Sequence, residues 1–249
     1  MRIVAWNANY NGRRRSFAES LALLEPLRPD VVVLSETAPP TAPDPGRTLW
    51  VGDGAPGLAV VALGDYELEP HPLNEGAPPL VAGVAVRGPS DFNLLAAWPV
   101  QRPGSATYHQ VLMTALDRYR GFLTADPAIL AGDLNTSARV SAQRRTHPAF
   151  VARAAELGLR SIYHEQSGEA HGEESVPTYH HRNRIQQPFA QGSARAGKIL
   201  GGGEDNPAVD FAEARDDAVG RNFLFVHAEQ GGVMLHEKLH FLKAAFIKQ

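Results

Sequence analysis

The chain has 249 residues, 43% of them hydrophobic, which is enough to bury a sizeable core in one large α/β domain or two small ones. A formal charge of −3 gives no overall basic field for nucleic acid, so phosphate recognition would rest on a metal ion and local arginines. The absence of cysteine excludes disulfide frameworks, thiolate zinc sites and a cysteine nucleophile, and it fits a reducing compartment, with the cytoplasm as the expected location.

In chain order, residues 3–5 read as a buried strand whose apolar run is too short for a signal peptide. Residues 16–27 read as an amphipathic helix with Phe17, Leu21 and Leu24 at helical spacing, and after Pro29-Asp30 residues 31–35 form a second strand. A proline-rich loop covers 38–47, followed by short β-type runs at 58–63, 81–86 and 92–97 between Gly, Pro and Asp turns. A helix is predicted over 108–123, an apolar strand over 128–131, and a helix over 148–157 with Pro148 as its first residue. Alternating strands and helices make the class α/β, with sheets covered by helices. No stretch approaches the roughly 20 apolar residues of a membrane span, so a soluble, monomeric protein is expected.

Composition shifts near residue 190. Lysine is absent before Lys198 while arginine is frequent there, and Pro207 stands alone among the residues that follow 189. The chain is therefore divided into a main domain, 1–189, and an atypical C-terminal segment, 190–249, read either as a small segment appended through the loop Gly201-Gly202-Gly203 or as a frame change or fusion that replaced the native C-terminus. Within that segment, Leu235, Leu239, Leu242 and Phe246 recur at helical spacing and predict a helix over 233–247.

Three strands end in polar residues of the same chemical kind: Trp6-Asn7, Ser35-Glu36-Thr37 and Gly132-Asp133-Leu134-Asn135. Open α/β sheets place ligands at the carboxyl ends of their strands. Two carboxylates and two carboxamides gathered there suit a hard cation, since Mg²⁺ takes one or two carboxylates and keeps water positions for phosphate oxygens. Glu36 fits a metal ligand, a second carboxylate could orient or deprotonate a water, and asparagines could donate to phosphoryl oxygens. Taken singly, each has a plainer reading: Asn7 as a turn residue, Glu36 as a surface acid, Asp133 and Asn135 as caps.

The ordered set Trp6-Asn7, Pro29-Asp30 with a strand closing in Glu36, Gly57-Leu58-Ala59-Val60, and Ile129-Leu130-Ala131-Gly132-Asp133-Leu134-Asn135 resembles the endonuclease/exonuclease/phosphatase family. The resemblance extends through Tyr163-His164, Glu169, His171, Gly172, Glu173 and Pro177-Thr178-Tyr179. It implies a four-layer sandwich of two mixed β-sheets flanked by helices, and Mg²⁺- or Mn²⁺-assisted attack of water on a phosphate ester, with nucleic acid among the candidate substrates. Carried over, Glu36 is the main metal ligand, Asn7 a neighbour of both metal and catalytic groups, Asp133 the residue that orients or activates water, and Asn135 a phosphoryl donor. Two departures stand out. Trp98 occupies a place where many members have a phosphate-contacting histidine, and it packs or stacks instead. The closing aspartate strand and Ser-Asp-His triplet have no match, so the C-terminal strands are missing or altered; Val209-Asp210-Phe211 and the run from Asn222 to His227 only echo them.

Two clusters offer substrate contacts. Arg13-Arg14-Arg15 either binds phosphates through Arg15 or forms a solvated helix start, and Tyr108-His109 either faces the cleft or lies on a helix surface. His164, His171, His180 and His181 are expected at the surface. Two rival readings remain. One is an inactive scaffold of this family that binds a partner. The other is a zinc peptidase built on His236-Glu237-Lys238-Leu239-His240, which fits the His-Glu-x-x-His pattern but has few residues after it for a third ligand.

Overall fold

The computed structural model describes residues 1–175 apart from 103 and 126, together with the backbone of three later strands at 222–229, 232–234 and 246–248. The first sheet uses β1 (Arg2–Asn7), β2 (Val31–Thr37), β3 (Thr48–Val51) and β4 (Gly57–Ala62). The second uses β5 (Glu67–Pro70), β6 (Val81–Arg87), β7 (Phe92–Ala97), β8 (Ala128–Gly132) and β9 (Leu159–Ser161). From the C-terminal segment, β10 (Asn222–Glu229) and β11 (Gly232–Met234) extend the first sheet, and β12 (Phe246–Lys248) lies between β8 and β9. The orders are β11-β10-β1-β2-β4-β3 and β5-β6-β7-β8-β12-β9. Each sheet mixes one parallel pair, β1 with β2 and β7 with β8, with antiparallel neighbours.

Helices α2 (Phe17–Ala22), α3 (Tyr108–Arg118), α4 (Arg120–Ala125) and α5 (Thr146–Glu156) cover the outer faces; α1 (Tyr10–Arg13) buries no residue, and α6 (Ile162–Ser167) adds Ile162 to the core between the sheets. Strand parity explains the layering, because successive side chains point to opposite faces. Ile3, Ala5, Val31 and Val33 meet Leu94, Ala96, Ile129 and Ala131 between the sheets. Val4, Trp6, Val32 and Leu34 face outward onto Leu24, Leu27 and the apolar side of α2. On the far side, Leu95, Ala97, Leu130 and Ala128 pack against α3, α4 and α5 through Leu112, Leu116, Leu123 and Phe150. The result is the four-layer sandwich.

Several boundaries move from their predicted places for local reasons. The helix expected over 16–27 ends at Ala22 and is followed by a separate 3-10 turn, Glu25–Leu27, with Pro26 inside it. The helix expected over 108–123 breaks at Tyr119, whose φ of −94° and ψ of 14° leave the helical well, so that its buried ring joins the core under β6. The predicted helix over 233–247 is not supported at its ends, where Gly232–Met234 and Phe246–Lys248 are strands. Sheet edges need partners for their backbone groups, and β12 supplies them to β8 and β9. The strand left missing or altered by the sequence is filled by β10, which pairs with β1 from Arg2↔His227 to Asn7↔Asn222. Among the described residues, no helix is long and apolar enough to cross a membrane.

Thr107 opens α3 with a capping box: its hydroxyl accepts from the Gln110 backbone at 3.2 Å, and the Gln110 side chain accepts from the Thr107 backbone at 2.9 Å. Thr107→Ala is expected to cost about 1 kcal/mol, a fall in Tm of roughly 2–4 °C by calorimetry, because α3 carries core residues but is anchored by their burial as well.

Candidate functional site

Parallel pairing puts the carboxyl ends of β1 and β2 side by side, with Asn7 opposite Ser35. β8 ends nearby in the facing sheet. Alternation carries Asn7 inward after Ile3 and Ala5, and Asp133 inward after Ala131, into the space where the inter-sheet core opens. The same alternation would turn Glu36 outward with Leu34. A β-bulge between Leu34 and Thr37 changes that, with Glu36 held at a φ of 49° in the left-handed region. Bulges re-aim side chains in this way, and strain of about 1–3 kcal/mol persists only where surrounding structure enforces it.

The three side chains meet. Asn7 Nδ2 donates to Glu36 Oε1 at 2.9 Å and to Asp133 Oδ2 at 2.6 Å, while Asn7 Oδ1 accepts from the Asn9 backbone at 2.9 Å. That last contact fixes which way the amide points, so its two N–H groups face the two carboxylates. Asp133 is 2% exposed and Glu36 is half-buried. Asn135, two residues on, sits in the left-handed region with a φ of 51°; its Nδ2 donates to the Pro99 carbonyl at 3.1 Å, and its own carbonyl accepts from Gln143 Nε2 at 2.9 Å. Asparagine tolerates this conformation better than most residues.

The other two candidates lie at helix starts. Arg15 precedes the cap of α2 and its charge helps hold the Glu19 carboxyl low, after the Ser16 hydrogen bonds that dominate that shift. Tyr108 is the first residue of α3 and is half-buried. Neither is a partner in the hydrogen bonds that join Asn7, Glu36 and Asp133. Arg14 lies over the Tyr10 ring at 5.2 Å from its centroid. Trp98 is 6% exposed within the inter-sheet core, so it packs rather than stacks on a ligand. The motif at His236 to His240 and the residues His180 and His181 lie outside the described residues.

A second polar cluster was not legible in the sequence. His147 is buried on α5 and pairs through Nδ1 with Thr136 Oγ1 at 3.0 Å and through Nε2 with His171 Nδ1 at 3.2 Å. His164 stacks on His171 with ring centroids 3.6 Å apart, and its Nε2 meets Glu174 Oε1 at 3.2 Å. Arg139 Nε pairs with Glu174 Oε2 at 3.1 Å. The surface placement expected for His164 and His171 is thus corrected to partial burial, because the turns after α6 fold back over α5. No sequence spacing announces this: the partners come from α5, α6 and a turn, and only the fold assembles them.

These groups have shifted protonation. Burial, then the neighbouring His164 and His147, lowers His171 to about 4, and burial lowers His147 as well, with Glu174 opposing. Burial would raise Glu174, but the His164 side chain and the Gly172 N–H outweigh it and hold the carboxyl at about 2. Between pH 6.5 and 4 the unfolded chain therefore binds protons at the His171 position that the folded chain refuses, and folding stability falls as pH drops through that window. Glu174 adds a further loss from its ordinary 4.5 down toward 2. Denaturant midpoints are expected to decline steadily from pH 7 to pH 4 in the metal-free protein, and a flat profile over that range would contradict neutral, buried imidazoles.

No protein-family model matches the sequence, and no curated protein matches it. Solved structures similar to it do exist, and they are endonuclease/exonuclease/phosphatase-fold proteins. The endonuclease domain of TRAS1, a telomere-specific non-LTR retrotransposon, is 14% identical with a TM-score of 0.49, over 69% of this chain and 81% of that one. An AP endonuclease from Archaeoglobus fulgidus is 16% identical with a TM-score of 0.48, over 76% and 81%. An endonuclease/exonuclease/phosphatase from Beutenbergia cavernae DSM 12333 is 20% identical with a TM-score of 0.40, over 66% and 55%.

Proposed function

We propose that the chain is a divalent-metal-dependent phosphoester hydrolase, a phosphodiesterase or nuclease, working at the carboxyl ends of β1, β2 and β8. The observation that carries this reading is the convergence of Glu36 and Asp133, from opposite sheets, on the one amide of Asn7 at 2.9 and 2.6 Å. Two carboxylates brought this close repel each other, and a site that holds them together needs positive charge or strong donors between them. Asn7 supplies two N–H groups; a hard cation would supply more.

The donor set fits Mg²⁺ or Mn²⁺. All the candidate ligand atoms are oxygens, Glu36 is open enough to reach an ion, and two carboxylates are about what Mg²⁺ takes while keeping water. Glu36 would hold it, with Asn7 beside it. When bound, such an ion withdraws charge from the phosphoryl oxygens and from the leaving oxygen. The chain's own groups do the rest. Asp133 accepts a hydrogen bond from the attacking water, aligns it, and takes its proton as the new P–O bond forms. The bond to the leaving oxygen breaks on the opposite side of phosphorus, and that oxygen departs with the electron pair. Asn135 Nδ2, now on the Pro99 carbonyl, would leave that partner to donate to a phosphoryl oxygen as charge grows there. Arg15 and Tyr108 are proposed to contact substrate beyond the reacting phosphate, and residues 190–249, divided from the domain 1–189 by composition, to complete its two sheets through β10, β11 and β12.

The test is hydrolysis of bis-p-nitrophenyl phosphate and of plasmid DNA by the full chain, with Mg²⁺, with Mn²⁺ and with chelator. Turnover that needs the metal supports the reading and the two substrates separate a general phosphodiesterase from a nuclease. A folded chain with no turnover under any of these conditions would favour an inactive scaffold.

A further inference from the structure

The cluster behind the Asp133 loop has ligand chemistry of its own. One ligand atom from each of His164, His171 and Glu174 lies within 4.8 Å of the others. We propose that these three residues form a second metal site, distinct from the one at Glu36, suited to a borderline transition metal and best to zinc.

Donor type is the first argument. Two imidazoles and one carboxylate are zinc ligands, whereas Mg²⁺ prefers oxygen throughout. Geometry is the second. Ligand atoms on a tetrahedral ion with bonds of about 2.0–2.1 Å stand about 3.3 Å apart, and His164 Nε2 stands 3.2 Å from Glu174 Oε1. Both side chains are shielded, at 17% and 15% exposure. Arg139 takes the other carboxylate oxygen, leaving Oε1 turned toward the imidazoles.

The outer contacts supply a third argument, because ligating histidines usually donate their second ring N–H to a fixed acceptor. His164 Nδ1 lies 2.7 Å from Ser161 Oγ, and His171 Nδ1 lies 3.2 Å from His147 Nε2. With the ion between His164 Nε2 and Glu174 Oε1, in place of the hydrogen bond that joins them without it, one tautomer set satisfies the outer contacts. His164 donates from Nδ1 to Ser161, His171 donates from Nδ1 to His147, and His147 donates from its own Nδ1 to Thr136 Oγ1, 3.0 Å away. Both ligand histidines then present an unprotonated Nε2. Binding would turn the stacked rings from face contact toward a shared ion. Thr136 directly follows Asn135, so the ion would tie the turns after α6 to the loop that carries Asp133 and Asn135. Its role is to brace that loop.

The experiment uses the full chain, stripped with chelator and titrated with Co²⁺ alone in excess Mg²⁺, following the visible d–d absorption that a low-coordinate nitrogen-rich site produces. One equivalent is expected to give the band, and Zn²⁺ to remove it. The band should persist in Glu36→Gln, which separates this site from the hydrolytic one, and in a His236→Gln/His240→Gln double variant. It should disappear in His171→Gln. His147→Gln, which leaves every ligand in place, should weaken Co²⁺ binding about 10- to 100-fold. Absence of the band in the unaltered chain, its survival in His171→Gln, or its loss in the double variant would overturn the proposal. Should His171→Gln fail to fold, X-ray absorption of the zinc-loaded double variant decides: two imidazoles in the shell support the site, and fewer than two refute it.

Discussion

Asp133→Ala is expected to lower metal-dependent turnover at least about 100-fold while the chain remains folded, since general-base groups of this kind contribute roughly 10²- to 10⁴-fold. The alanine also leaves one N–H of Asn7 without its carboxylate partner, at a cost of about 1–3 kcal/mol, so stability must be measured beside kcat. Asp133→Asn separates the two effects. Its side-chain oxygen can still accept from Asn7, but it is a far weaker base; a loss in this variant close to that of alanine assigns the effect to proton transfer. Glu36→Gln should behave differently, raising the Mg²⁺ concentration needed for half-maximal rate, because it weakens an ion ligand and leaves the proton acceptor in place. Turnover unchanged in both Asp133→Ala and Glu36→Gln would sink the assignment.

The positions of these residues were readable because the physics behind them is local. An apolar run that stops at a polar residue marks the end of a buried strand, and the three such ends at Asn7, Glu36 and Asp133 point to one edge once β1 and β2 pair in parallel. The orientation of Glu36 was not readable. Period-two alternation sends it to the helix-covered face, and only the bulge with its left-handed φ returns it to Asn7. Tyr119 illustrates a similar limit: its helical spacing is continuous with Leu116 and Leu123, and the break arises from the ring's fit against Gly83, whose missing side chain leaves room for it. The strand between β8 and β9 came from a stretch with helical periodicity, where an unpaired sheet position outweighs amphipathicity. The histidine cluster joins residues from separate elements, and spacing along the chain carries no trace of it.

Gly132→Ala should be the most damaging added methyl group among the described glycines. Gly132 sits between the last apolar residue of β8 and Asp133, with a φ of 136° that L side chains rarely adopt. A Cβ there would lie 2.1 Å from the carbonyl oxygen of Ala97, the residue that pairs with it on β7. That neighbour is backbone in the middle of a buried sheet, so it cannot swing aside as a side chain would. The substitution therefore forces either the β7–β8 pairing to open or the chain to leave its positive-φ conformation before Asp133. Backbone strain alone accounts for about 1–3 kcal/mol, and the clash adds to it, so a loss of at least ~3 kcal/mol is expected in denaturant unfolding. Activity should fall further than stability explains, because a shift of about 1 Å at Asp133 is enough to cost on the order of 100-fold in rate. A Gly132→Ala chain with wild-type stability and turnover would mean that Asp133 is not held by this backbone conformation, and the geometry on which the hydrolytic reading rests would have to be abandoned.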